Sequence, residues 1–157
     1  MRTKPWRALV LTVLVGGLLA LPLTASADDE KRVVAGAELH FTGPNSASGT
    51  FSAALAVSDS GTTSATFTVT PSKDDEGVLD GNEVFNGTLG SFTIHFHGTA
   101  FPLSSPRQVG EGMWRVMSGT GVYADLRGRG SFLVVADAVT QTVKGSLDGK
   151  VRHGEDD

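Results

Sequence analysis

His95 and His97 stand two residues apart in a run where Phe92, Ile94 and Phe96 alternate with Thr93, His95 and His97. In extended chain both imidazoles lie on one face, a spacing that can serve one metal ion. A zinc site takes three or four protein ligands, and the local sequence offers no third. Only His40 or His153 could join them through the fold. Turned outward, the pair is two solvated imidazoles; turned inward, it is an acid–base site. A second constellation is Asp74, Asp75, Glu76, Asp80, Asn82 and Glu83, whose oxygens near Gly77 and Gly81 are suited to Ca²⁺. Their order does not follow the D-x-[DN]-x-[DN]-G loop, so a solvated acidic turn from Ser72 to Asn82 is expected. A third group, Tyr123, Asp125, Arg127 and Arg129, is bracketed by Gly119, Gly121, Gly128 and Gly130. Tyr123, Arg127 and Arg129 would form a polar rim that orients a ligand, or the segment is a turn stapled by charge and tyrosine packing. No G-x-S-x-G nucleophile motif occurs, no catalytic residue is assigned and no cofactor is implied. Asn86-Gly87-Thr88 fits the glycosylation sequon, a pattern short enough to arise by chance.

The elements that must position these residues have period two. Phe51, Ala53, Leu55 and Val57 alternate with Ser52, Ala54, Ala56 and Ser58, and Ala65, Phe67 and Val69 with Ser64, Thr66, Thr68 and Thr70, while Asp59-Ser60-Gly61 between them reads as part of a hairpin connection. Strand character is expected again at Glu83 to Asn86, from Thr88 to Phe101, around Trp114 and Val116, from Gly130 to Ala136 and from Val139 to Val151. In the last run Val139, Val143, Leu147 and Val151 share a face with Gly145 and Gly149, while Thr140, Thr142, Lys144, Ser146, Asp148 and Lys150 share the other. Only a strand with one buried face satisfies that alternation. Pro44, Pro71, Pro102 and Pro106 fall between runs. The fold class predicted is all-β, a single antiparallel β-barrel of about eight strands. Phe51, Leu55, Phe67, Val69, Phe92, Ile94, Phe96, Trp114, Val116 and Phe132 are the side chains expected to point inward. They would line a pocket for a small hydrophobic molecule or fill the interior.

Residues 1–27 carry Arg2, Lys4 and Arg7, an apolar core from Ala8 to Leu21 and the small-residue site Ala25-Ser26-Ala27, the pattern of a secretory signal peptide. Residues 28–33 then form an acidic leader, 34–152 the barrel domain and 153–157 a polar tail, with a secreted, extracellular or periplasmic, location expected. The apolar core is shorter than the roughly 20 residues of a membrane span, so no span is expected after cleavage. Losing the three basic leader residues takes Lys+Arg from 13 to 10 against 17 Asp+Glu, a net charge of −7. That balance argues against nucleic acid and anionic membrane surfaces as partners of the whole molecule.

Gly119-Thr120-Gly121-Val122-Tyr123-Ala124-Asp125-Leu126-Arg127-Gly128-Arg129-Gly130, after the strand at Trp114 to Met117, resembles the signature of the allene oxide cyclase-like barrel superfamily. Gly90-Ser91-Phe92-Thr93-Ile94-His95-Phe96-His97-Gly98-Thr99 is similar to a Gly-Ser-Phe strand of the same group. Within it the chain is most similar to bacterial small secreted barrels of unknown function, and more weakly to plant dirigent proteins through Gly119-Thr120-Gly121. The resemblance implies an eight-stranded calycin-like barrel, often a homo-oligomer, with an apolar interior. Some relatives steer cyclisation or coupling of reactive apolar intermediates, but their acid and base residues find no counterpart here. Binding of a small hydrophobic molecule is thus the expected function. An isomerase or cyclase-like enzyme using the same cavity is the alternative, and a solid-cored structural or oligomeric module the third.

Overall fold

A computed structural model describes residues 30–54, 58–73, 76–104 and 106–154, with residues 103 and 104 described for backbone only. Eight strands in chain order make the fold: β1 (Lys31–Gly43), β2 (Ser46–Ala54), β3 (Ser58–Pro71), β4 (Gly77–Gly87), β5 (Ser91–Ser104), β6 (Arg107–Gly119), β7 (Leu126–Asp137) and β8 (Thr142–His153). Each pairs antiparallel with the next, and β8 returns to β1, so the sheet closes into a barrel without an edge. The expected all-β barrel of eight antiparallel strands is the observed architecture.

Several strands begin earlier than composition suggests. Lys31, Arg32 and Val33 belong to β1 rather than to an acidic leader, because Val33 points inward and is buried. Asp59-Ser60-Gly61 is not a turn but the start of β3, where Ser60 pairs with Ser52 and Gly61 with Phe51. Asp80, Gly81 and Asn82 likewise lie within β4, opposite Thr68, Phe67 and Thr66 of β3. Pro102 sits inside β5, next to a break in register between Pro102 and Ser104. The strand expected from Val139 begins only at Thr142. Val139 is 76% exposed in a turn whose amides, Val139 and Thr140, donate to Asp137 Oδ1. At Lys31, Asp59 and Asp80 local polarity mimics a loop, and pairing with a neighbouring strand overrides it.

The interior divides along the barrel axis. One end is packed solid by an aromatic cluster. The rings of Phe85 and Phe92 stack at 4.6 Å, with Phe51 edge-on to Phe85 at 5.1 Å and Tyr123 edge-on to Phe92 at 5.1 Å. Val33, Trp114, Leu126 and Val151 complete this plug. Trp114 fits because Gly149 faces it: a Cβ at 149 would stand 2.7 Å from the indole. The indole N–H donates to the Ser131 carbonyl at 2.9 Å. A one-turn 3₁₀ helix, Gly121–Tyr123, folds under this end and delivers the tyrosine.

Candidate ligand cavity and its carboxyl

Toward the other end the inward positions carry small residues, and there the interior is hollow. Ala35, Ala37, Ala47, Ala65, Gly110 and Gly145 contribute little volume, and a cavity of about 130 Å³ remains. Phe67, Ile94, Phe96, Phe132 and Leu147 supply its apolar wall, and Gln108 and Ser146 are among its few polar groups. An engineered cavity of about 150 Å³ accepts benzene, so this space suits a compact molecule of about one ring.

Among the described residues one ionisable side chain lines this cavity. Glu83 lies on β4 in the same inward series as Leu79, Gly81 and Phe85, directly opposite Ala65 of β3 and Ile94 of β5. Burial pushes its carboxyl up to about 7, against which a hydrogen bond from Thr63 acts in the opposite direction. The buried Thr63 hydroxyl lies 2.7 Å from Glu83 Oε1 and 3.0 Å from the Val84 carbonyl. It has a single proton for two acceptors. The hydroxyl donates to Glu83 Oε1, and the Val84 carbonyl is its second acceptor. Chemically the cavity therefore offers an apolar wall and one carboxyl able to donate or accept a proton near neutrality.

Of the inward residues expected from sequence, Phe67, Val69, Ile94, Phe96 and Phe132 line the cavity. Phe51, Phe92, Trp114 and Val116 are interior too, but they build or pack against the solid plug rather than the hollow half. Leu55 lies outside the described residues. Tyr123 does not form a rim with Arg127 and Arg129. It is 1% exposed beneath the plug, and both arginines stand exposed on the outer wall. The tyrosine hydroxyl donates to Asp59 Oδ2 at 2.8 Å, and Asp59 Oδ1 accepts from the Ser60 amide, the Thr88 amide and the Thr88 hydroxyl. Burial pushes the Asp59 carboxyl up, yet these donors outweigh it and hold it well below the usual carboxylate range. Burial, and then the Asp59 carboxylate, push the Tyr123 phenol up. Sequence reasoning missed this network because Asp59 reads as a turn residue.

His95 and His97 face outward, and the structure adds Asp80, which stands opposite His97 in the β4–β5 register. Asp80 Oδ2 is 3.0 Å from His97 Nδ1 and 3.4 Å from His95 Nε2. The hydrogen bond with His97 is the main reason its carboxyl lies below the ordinary value. Among the described residues no group of three or more His, Asp or Glu side chains is arranged to hold a metal ion. The proposed acidic turn is split: Glu83 turns inward, Asp80 joins the histidines, and Asp74 and Asp75 lie outside the described residues. No helix among the described residues is long and apolar enough to cross a membrane. No family model matches the chain, and no curated protein or solved structure shows significant similarity to it.

Proposed function

We propose that this chain is a secreted barrel that holds a compact hydrophobic molecule in its hollow half, with Glu83 as the polar contact. The observation that carries this reading is an apolar cavity of about 130 Å³ containing one carboxyl, above a plug of packed aromatic rings. A cavity of that kind is the default binding site in a barrel, and it favours a ligand over a solidly packed interior. Single-ring probes such as toluene, phenol and benzaldehyde test it by thermal unfolding at millimolar concentration, where a ligand at 100 times its Kd adds about 2.7 kcal/mol. Ala65→Phe fills the cavity from β3 and should abolish the shift while leaving the far-ultraviolet circular dichroism unchanged. Equal shifts in both proteins would remove the cavity from the account.

Glu83 also favours a second reading, an isomerase or cyclase-like enzyme of the kind implied by the resemblance to the allene oxide cyclase-like superfamily. A carboxyl with its pKa near neutrality, facing an apolar space, is suited to proton transfer. Rearrangement of a bound probe by the wild-type protein, lost in Glu83→Gln, would select this reading over passive binding.

A further inference from the structure

The outer wall carries a pattern that the cavity does not use. His95, Arg115, Arg129, Lys150 and Arg32 stand directly opposite one another in sequence across β5, β6, β7, β8 and β1. One step toward the plugged end, Arg127 of β7 faces Arg152 of β8. All six arginines and lysines are exposed, and they account for six of the 13 Lys and Arg residues in an otherwise acidic chain. Neighbouring strands lie about 4.8 Å apart, so this is a ladder of cations at that interval. Like charges directly opposite each other destabilise a sheet, and random placement on an acidic protein would not align them in one row. Among the described residues Asp80 lies 3.4 Å from His95 at one end of the row, and two acids pair with its Arg and Lys members: Asp148 with Arg32 at 2.8 Å and Glu30 with Lys150 at 3.1 Å. Both pairs have more than half of every side chain in solvent, so a competing anion exchanges with them easily.

The shape of the row selects the partner. It crosses four of the eight seams of the barrel, half its circumference, so a flat bilayer reaches only its middle while a flexible chain can follow the curve. Single-stranded nucleic acid is bound through exposed aromatic platforms. The outward neighbours here are Val34, Met113, Met117 and Ser131, whereas Phe92, Trp114 and Tyr123 are buried inside. Arginine forks bind carboxylate and sulfate groups bidentately, and a polymer with one such group per sugar presents them at intervals comparable to the strand spacing. We infer that this face binds a linear anionic polysaccharide, carboxylated or sulfated, lying across β6, β7, β8 and β1.

Titration of the full chain with polygalacturonate at 50 and 200 mM salt tests this. Four ion contacts, at the counterion-release slope of a single-stranded polyanion, predict a loss of about 50-fold in affinity between those concentrations. Arg129→Glu places a negative charge between Arg115 and Lys150. It should weaken polymer binding at least tenfold while the unfolding temperature holds or rises, a divergence that a merely structural arginine would not give. Arg115→Gln supplies the same affinity readout should Arg129→Glu fail to fold. Asp148→Asn should strengthen binding by releasing Arg32. No binding at 50 mM salt, or undiminished binding by the arginine variants, overturns the inference. Tighter binding to phosphatidylglycerol vesicles or to oligothymidylate than to polygalacturonate overturns it as well, in favour of that class. The outcome is independent of the single-ring probes, because Ala65→Phe leaves the outer row intact.

Discussion

Replacing Glu83 by glutamine keeps the shape of the side chain and removes only its titration. The native carboxyl has its pKa raised to about 7 from a model-compound value of 4.5, so between these values the folded protein binds more protons than the unfolded chain. For a raised acid the stabilisation is present at low pH and is lost as pH rises through the folded value. Stability should therefore fall between about pH 5 and pH 8 and level off above. A displacement from 4.5 to about 7 corresponds to roughly 3 kcal/mol between the two limits, of which on the order of 2 to 3 kcal/mol falls within that window. Urea unfolding of wild type and Glu83→Gln at pH 5, 6, 7 and 8 isolates this contribution, since the two proteins differ in no other ionisable group. The two proteins should be closely matched at pH 5, and the variant should be the more stable at pH 8 by on the order of 2 to 3 kcal/mol. For a domain of this size that difference is roughly 10 °C in unfolding temperature. Parallel pH profiles would refute the reasoning, because they would mean that Glu83 is ionised at no cost in its native position.

Tyr123→Phe leaves Asp59 Oδ2 without its strongest donor beneath the plug, and should cost about 1 to 3 kcal/mol, read as a lower denaturant midpoint at unchanged slope. Gly121 adopts φ +61° at the start of the 3₁₀ turn, and a Cβ there would fall on the Leu89 carbonyl oxygen. Gly121→Ala should accordingly destabilise by more than about 1 kcal/mol, with faster amide exchange in the segment from Leu89 to Tyr123. If a neutral Glu83 donates to the ligand, benzaldehyde should bind more weakly above pH 7 while toluene should be indifferent to pH. Matching pH profiles for the two probes would remove Glu83 from ligand recognition.

The barrel was legible wherever large apolar residues alternate with polar ones, as from Thr142 to Val151 and around Phe92, Ile94 and Phe96. It was obscured where the inward series consists of small or polar residues. Asp59, Gly61, Thr63 and Ala65 form one inward series on β3, and Leu79, Gly81, Glu83 and Phe85 another on β4. Asp80-Gly81-Asn82 has the composition of a turn, so Glu83 reads as part of an acidic loop. The parity of Leu79, Glu83 and Phe85 was the signal that would have placed it inside. The cavity itself arises from alanines and glycines spread over several strands, and only the closure of the sheet brings those weak positions to one volume. The cationic row escapes linear reading for a similar reason, because its members are separated by up to 118 positions and meet only through register.

That β1 and β8 are neighbours has a consequence for how the chain can be cut and rejoined. Seven of the eight seams join consecutive strands, and only the seam that pairs Arg32 with Lys150 spans nearly the whole sequence. Closing that seam carries the largest loop entropy and belongs late in folding. Once closed, the strand order is circular, and no strand is topologically first. A short linker joining Lys31 to His153, with new ends opened at Pro44 or between Ser72 and Glu76, would convert the long-range seam into a hairpin. The same barrel should then form, with its last-closing seam moved to the new opening.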